Sequence, residues 1–318
     1  MNRRSLLHKI AGGAGAVALA QITRPNATTS EEKLPRKSNV AGAGPYVTVD
    51  PTFALFYKDW CAPESRLNPK TRTALFLHTW ANNSDIWQYQ MNYLRGRGMR
   101  TAAYDRRGHG RSSDPGSSYD FDVLADDLAT IIERLELKDT ALVGHSMGCG
   151  EIVRYLSKHG DARISRIVFV APSLPFALKT VDNPDGVPRS DLIAVRDEIT
   201  HDFSQYLRTI VRPFFGPRVT ESSVDWGIRM CDLSALPALI GTQIAGTETD
   251  FRPELGSIKK PTLIIHGDSD ALCPLEVTAR TVHRMIPGSQ LKVYEKASHG
   301  LMISHMDELN RDLFDFIS

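Results

Sequence analysis

From Tyr46 onward the chain alternates short apolar runs with longer segments of helical periodicity. The apolar runs over 53–57, 74–77, 100–104, 141–143, 164–170, 262–266 and 290–294 predict strands. The middle and later ones are almost continuously apolar, as expected of parallel strands covered on both faces. Between them, Phe121, Leu124, Leu128, Ile131, Ile132 and Leu135 form one apolar stripe at helical spacing. Met306, Leu309, Leu313, Phe316 and Ile317 form a second near the C-terminus. Such alternation predicts an α/β fold with a mostly parallel central sheet flanked by helices.

One segment breaks the rhythm. Over 172–253 no strand pattern is evident, while prolines and the aromatics Phe203, Tyr206, Phe214, Phe215 and Trp226 accumulate. It predicts a helical cap inserted over the carboxyl ends of the strands, where α/β folds bind ligands. Each aromatic is either cap core or pocket wall; Phe214, Phe215 and Trp226 are the candidates for the wall.

The first 44 residues follow another pattern. Arg3 and Arg4 precede a weakly apolar stretch from Ile10 to Ala20, and no acidic residue occurs before Glu31. Residues 1–20 resemble a twin-arginine export signal, with Ala18-Leu19-Ala20 as a small-residue cleavage site. The apolar run is shorter than the ~20 residues a bilayer span needs. Residues 21–44 are polar, contain Pro25 and Pro35, and read as a flexible tether. The expectation is a bacterial protein exported to the periplasm or beyond, whose folded domain covers 45–318.

Composition adds mainly exclusions. The chain has 318 residues, 42% hydrophobic and 24% charged, with a formal net charge of +1. No dense basic block points to nucleic acid or to an anionic membrane surface, and nothing excludes a homo-oligomer. Cys61, Cys149, Cys231 and Cys273 are widely spaced with no CxxC. A domain of this size needs no covalent staples, so they read as unbridged, mostly buried thiols. "GAGAVA" (13–18) mimics a dinucleotide fingerprint but has no strand before it. Asp268-Ser269-Asp270 opens like a calcium loop without its later ligands. No metal-ligand spacing or cofactor motif is found, so neither a metal nor a cofactor is expected. Asp126-Asp127 reads as a carboxylate pair on a helix, either on its solvent face or capping a neighbouring loop, and Asp105-Arg106-Arg107 as structural, fixing loops around the elbow.

Chemistry enters with "ALVGHSMGCGE" (141–151). A strand runs into Gly144-His145-Ser146-Met147-Gly148, and helical periodicity follows at Ile152, Val153 and Leu156. G-x-S-x-G between strand and helix is a nucleophile elbow. A serine nucleophile needs a base, and the base an orienting carboxylate. On this fold the chain order is serine, acid, histidine. "HGDSDALCP" places Asp268 and Asp270 after a late strand; Asp270 is favoured, because Asp268 is better placed to close the turn. "ASHGL" places His299 after the last strand. His145 should point away from the serine, and His266 and His305 sit on a strand and a helix. Two backbone N–H groups must face the developing oxyanion. They are assigned to Met147, directly after the nucleophile, and to Trp80, in the loop after "ALFLH".

These motifs resemble the α/β-hydrolases known as cofactor-free (non-haem) haloperoxidases, with the related aryl esterases. The resemblance runs from about Tyr46 to the end. It includes "YKDW" (57–60), "YDRRGHGRSS" (104–113), "GHSMGCGE" (144–151), "RYLSKHG" (154–160), "PFFG" (213–216), "ETDF" (248–251), "HGDSDALCP" (266–274) and "ASHGL" (297–301). It implies a triad of Ser146, Asp270 and His299 without haem or metal. It also implies hydrolysis of small esters or lactones and, in some members, peracid formation from a carboxylic acid and hydrogen peroxide. Two positions depart from the family. Thr79 stands where a glycine usually precedes the oxyanion residue, and Ala81 where members named haloperoxidases often carry proline. Ester hydrolysis is therefore the first expectation and peracid formation the second.

Overall fold

The computed structural model describes residues 44–318 apart from 67, 69 and 70. The export signal expected over 1–20 and the tether, but for its last residue, lie outside the described residues.

Eight strands form one sheet: β1 (Tyr46–Asp50), β2 (Phe53–Trp60), β3 (Thr73–Leu77), β4 (Arg100–Tyr104), β5 (Thr140–His145), β6 (Ile164–Val170), β7 (Thr262–Gly267) and β8 (Gln290–Tyr294). Their spatial order is β1-β2-β4-β3-β5-β6-β7-β8. β1 and β2 are antiparallel to their neighbours, and every pair from β4 to β8 is parallel. β3, β5 and β7 are buried along their whole length, which is why their sequences are apolar without alternation. Leu75 of β3 sits in register between Ala102 of β4 and Leu142 of β5.

Helices cover both faces. Leu124 and Leu128 of helix Phe121–Arg134 and Ile152 of helix Met147–His159 pack in the core of one face. Met91 and Leu94 of helix Gln88–Arg95, with Leu309 and Leu313 of Met306–Ile317, fill the other. Each such fully buried side chain contributes about 1.5–3 kcal/mol of apolar transfer. Among the described residues no helix is long and apolar enough to cross a membrane.

Two expectations need adjustment. β1 was not anticipated; Val47 is its one buried residue, so it carries almost no hydrophobic signal. β2 continues three residues beyond 57 because Lys58, Asp59 and Trp60 keep pairing with β4, and Lys58 finds an acceptor in Asp85.

The cap is helical, as the missing strand pattern predicts. Helices Arg189–Phe215, Glu221–Cys231 and Leu236–Glu248 follow one another, the first kinked at Asp202. The cap has its own small core of Ile199, Leu207, Cys231 and Leu239, which also takes in Ala81 from the loop after β3.

Candidate active site

Ser146 sits between β5 and helix Met147–His159 with φ 53° and ψ −114°. A non-glycine residue there stores about 1–3 kcal/mol of backbone strain. Its neighbours must be glycine for steric reasons. A Cβ on Gly144 would lie 2.8 Å from the Cys149 nitrogen. One on Gly148 would lie 2.8 Å from the Leu77 carbonyl oxygen and 3.0 Å from that of His78. The G-x-S-x-G spacing is thus explained contact by contact: the corner is too tight for side chains on either side.

The loops after β7 and β8 bring the acid and the histidine together. His299 Nδ1–H donates to Asp270 Oδ2 at 2.7 Å, with both residues buried. The other carboxylate oxygen accepts the backbone N–H groups of Leu272 and Cys273, each at 2.9 Å. Burial alone would raise the Asp270 carboxyl, but the His299 contact and these donors outweigh it and hold it below the usual carboxylate range. Asp268 instead accepts from the Lys296 N–H at 2.7 Å and closes the turn.

Ser146 and His299 line one cavity of about 240 Å³. Its wall is mainly apolar, with Trp80 and Ala81 on one side and Leu207, Phe214 and Phe215 from the cap on the other. Phe214 also packs its ring edge-on to His299, 5.4 Å between centroids. Its carbonyl accepts the Gly300 N–H, tying the cap to the histidine loop. Trp226, expected in the wall, is not there. Helix Glu221–Cys231 turns Gly227 and Cys231 toward the cavity, and Trp226, about 100° around the helix from Gly227, packs on Tyr89 instead.

Met147 directly follows Ser146 in the chain, and Trp80 lines the same cavity as Ser146. Met147 opens its helix, where the first N–H groups have no intrahelical acceptor. Trp80 lies in the loop after β3, next to Ala81, whose φ is 61°. The Trp80 indole N–H donates to the Leu239 carbonyl at 3.0 Å, so the loop is fixed from the cap side too.

Several supporting residues lay beyond sequence reasoning. His145 is not among the residues lining the cavity, but its Nε2–H reaches the His299 carbonyl at 3.1 Å. Burial, with His299 nearby, holds its ring neutral, well below the ordinary imidazole value. His266 Nε2–H donates to the Cys273 carbonyl at 2.8 Å and lies 3.4 Å from Asp270 Oδ2. Cys273 lines the same cavity as Ser146, and burial pushes its thiol well above its ordinary value, so it stays protonated. Cys149 and Cys231 are buried, whereas Cys61 and Cys273 are only half-buried.

The Asp126-Asp127 pair splits. Asp126 meets Lys158 and His159 at the surface, as expected for a solvent face. Asp127 is buried instead, because Arg107 grips both its oxygens, at 2.6 and 2.7 Å. Such a fork contributes direction as well as charge.

Comparison with known proteins agrees with the sequence motifs. The family described as the alpha/beta hydrolase fold matches residues 74–219. The chain is 35% identical to a non-heme chloroperoxidase of Kitasatospora aureofaciens, over 86% of this chain and 99% of that protein. It is 31% identical to the bifunctional esterase/perhydrolase of Acinetobacter calcoaceticus, with the same coverage. Among solved structures, a bromoperoxidase from Bacillus anthracis superposes with a TM-score of 0.78 at 32% identity, covering 83% of this chain and 95% of that one.

Proposed function

We propose that this chain, which belongs to the non-haem haloperoxidase family of α/β-hydrolases, is a serine hydrolase that cleaves small carboxylic esters or lactones through an acyl-serine intermediate. The observation that carries this reading is the 2.7 Å bond from His299 to Asp270 at a cavity that Ser146 also lines. Ser146 Oγ attacks the ester carbonyl while His299 takes its proton. Asp270 fixes the His299 tautomer and stabilises the imidazolium. The oxyanion is held by the N–H groups of Trp80 and Met147. The alcohol leaves with the proton from His299, and water repeats the sequence on the acyl group. A cavity of about 240 Å³ lies below the ~300–1,000 Å³ usual for drug-sized ligands, so the substrate is small and largely apolar.

Peracid formation is the second reading, with hydrogen peroxide replacing water at the acyl-enzyme. A relative that carries both activities in its name supports keeping it. Ala81 stands where members named haloperoxidases often carry proline, and its φ of 61° is one that proline, fixed near −65°, cannot adopt. The loop beside the Trp80 N–H is therefore not shaped as in relatives that carry proline there. A panel of short-chain, aryl and lactone esters, run beside peroxide-dependent bromide oxidation with and without acetate, separates the two. Ester hydrolysis is expected to dominate. Any bromide oxidation is expected to require acetate and to vanish in Ser146→Ala. Strong acetate-dependent oxidation with negligible hydrolysis would reverse the order, and acetate-independent oxidation would point to another redox centre.

We also propose export by the twin-arginine route, on the strength of Arg3-Arg4 and the weakly apolar stretch after them. Arg3→Lys combined with Arg4→Lys should retain the precursor in the cytoplasm with its esterase activity intact. An unchanged periplasmic yield in cell fractions would refute this route.

A further inference from the structure

The two proposed oxyanion donors lie on different elements: Trp80 in the loop after β3, and Met147 at the start of the elbow helix. One buried ion pair joins those elements. Arg106 and Glu151 are each 1% exposed, and the Arg106 guanidinium binds the Glu151 carboxylate. Glu151 stands four residues after Met147, one turn along the same face of the helix. Its second oxygen accepts the Tyr104 hydroxyl at 2.6 Å, which fixes the carboxylate against β4.

From the other edge of the guanidinium, Nη2 donates to the His78 carbonyl at 2.7 Å and Nη1 to the Thr79 carbonyl at 3.3 Å. The His78 ring closes the same clamp. Its Nε2 accepts the Arg106 backbone N–H at 2.9 Å, and its Nδ1–H donates to the Thr79 carbonyl at 2.7 Å. The Thr79 carbonyl belongs to the same planar trans peptide as the Trp80 N–H, so the two groups point in opposite directions. Holding the carbonyl therefore aims the N–H.

We propose that the Arg106–Glu151 pair is a positioning device that sets both oxyanion N–H groups relative to one another, through the Thr79–Trp80 peptide on one side and the elbow helix on the other. This rests on the acyl-serine reading of the site. A hydrophobic pair could fill the same space, and buried ion pairs often give no net stability over one. What apolar side chains cannot supply is direction. The guanidinium carries donors in a fixed planar fork and spans a carboxylate and two carbonyls at once. The contact is also direct: Gly148, next to Met147, lies so close to the Leu77 and His78 carbonyls that a Cβ would meet them at 2.8 and 3.0 Å. A shift of the loop is therefore felt at the elbow.

The test uses Arg106→Lys and Glu151→Gln in the full chain, each first shown to be folded by circular dichroism and thermal unfolding. An ammonium keeps the charge but cannot span all three acceptors, and the amide keeps the shape but loses the charge. Four quantities are read with a short aryl ester: kcat, KM, inhibition by a trifluoromethyl ketone that forms a tetrahedral oxyanion, and inhibition by the neutral alcohol product. Misaimed rather than deleted donors should lower kcat about 10- to 100-fold in Arg106→Lys, and less in Glu151→Gln. Ketone affinity should fall by the same factor, while KM and alcohol inhibition stay near wild type. If Arg106→Lys does not fold, Glu151→Gln decides alone. A folded variant with wild-type kcat and ketone affinity, or with KM and alcohol affinity lost as much as kcat, overturns the proposal. Ser146→Ala is run alongside. If it is inactive while the pair variants are normal, only the positioning role falls. If it turns over normally, the acyl-serine reading falls, and this inference with it.

Discussion

Ser146→Ala is expected to reduce ester hydrolysis by about 10⁴-fold or more while leaving the fold intact. The serine side chain is small, and no part of the core depends on its hydroxyl. Replacing it removes the hydroxyl proposed to form the acyl bond. What remains is substrate binding and the oxyanion donors, which accelerate hydrolysis only weakly without a nucleophile. Steady-state rates of the purified variant, with its melting temperature beside wild type, check this. An alanine variant with near-normal turnover would sink the assignment.

Asp270→Asn should cost almost as much, on the order of 10³- to 10⁴-fold in kcat. The carboxylate accepts from His299 Nδ1 and from the Leu272 and Cys273 N–H groups. An asparagine can keep its oxygen on the backbone donors, but its NH₂ then faces Nδ1. His299 must turn or change tautomer to accept from it, and Nε2 becomes protonated where it should act as base. The charge that stabilises the imidazolium is lost as well. KM should move little, because Asp270 is not among the residues lining the cavity. A variant retaining more than a tenth of wild-type kcat would mean that another carboxylate orients the histidine.

The sequence was most readable where chemistry dictates local geometry. The elbow announces itself because Gly144 and Gly148 have no room for a Cβ. Strands β3, β5 and β7 announce themselves because both faces are buried. Trp226 was misread because composition marks an aromatic segment without telling which way each ring turns. Helix Glu221–Cys231 presents Gly227 to the cavity and sends its neighbour outward. For Asp127 the solvent-face and loop-capping alternatives stayed open, because its partner, Arg107, is twenty residues away in the loop after β4. Glu151, which closes the GHSMGCGE motif, likewise finds its partners Arg106 and Tyr104 far away along the chain. Long-range pairs of this kind are set by the packing of helices on the sheet, which periodicity does not encode.

The most direct test of the acyl-serine account is intact-protein mass spectrometry after exposure to a serine-directed aryl phosphonate, followed by peptide mapping. The account predicts one adduct per chain on Ser146, formed in step with loss of esterase activity, and no adduct in Ser146→Ala. An adduct on another residue that tracks the loss of activity, or full inactivation of the wild type without modification of Ser146, would contradict it.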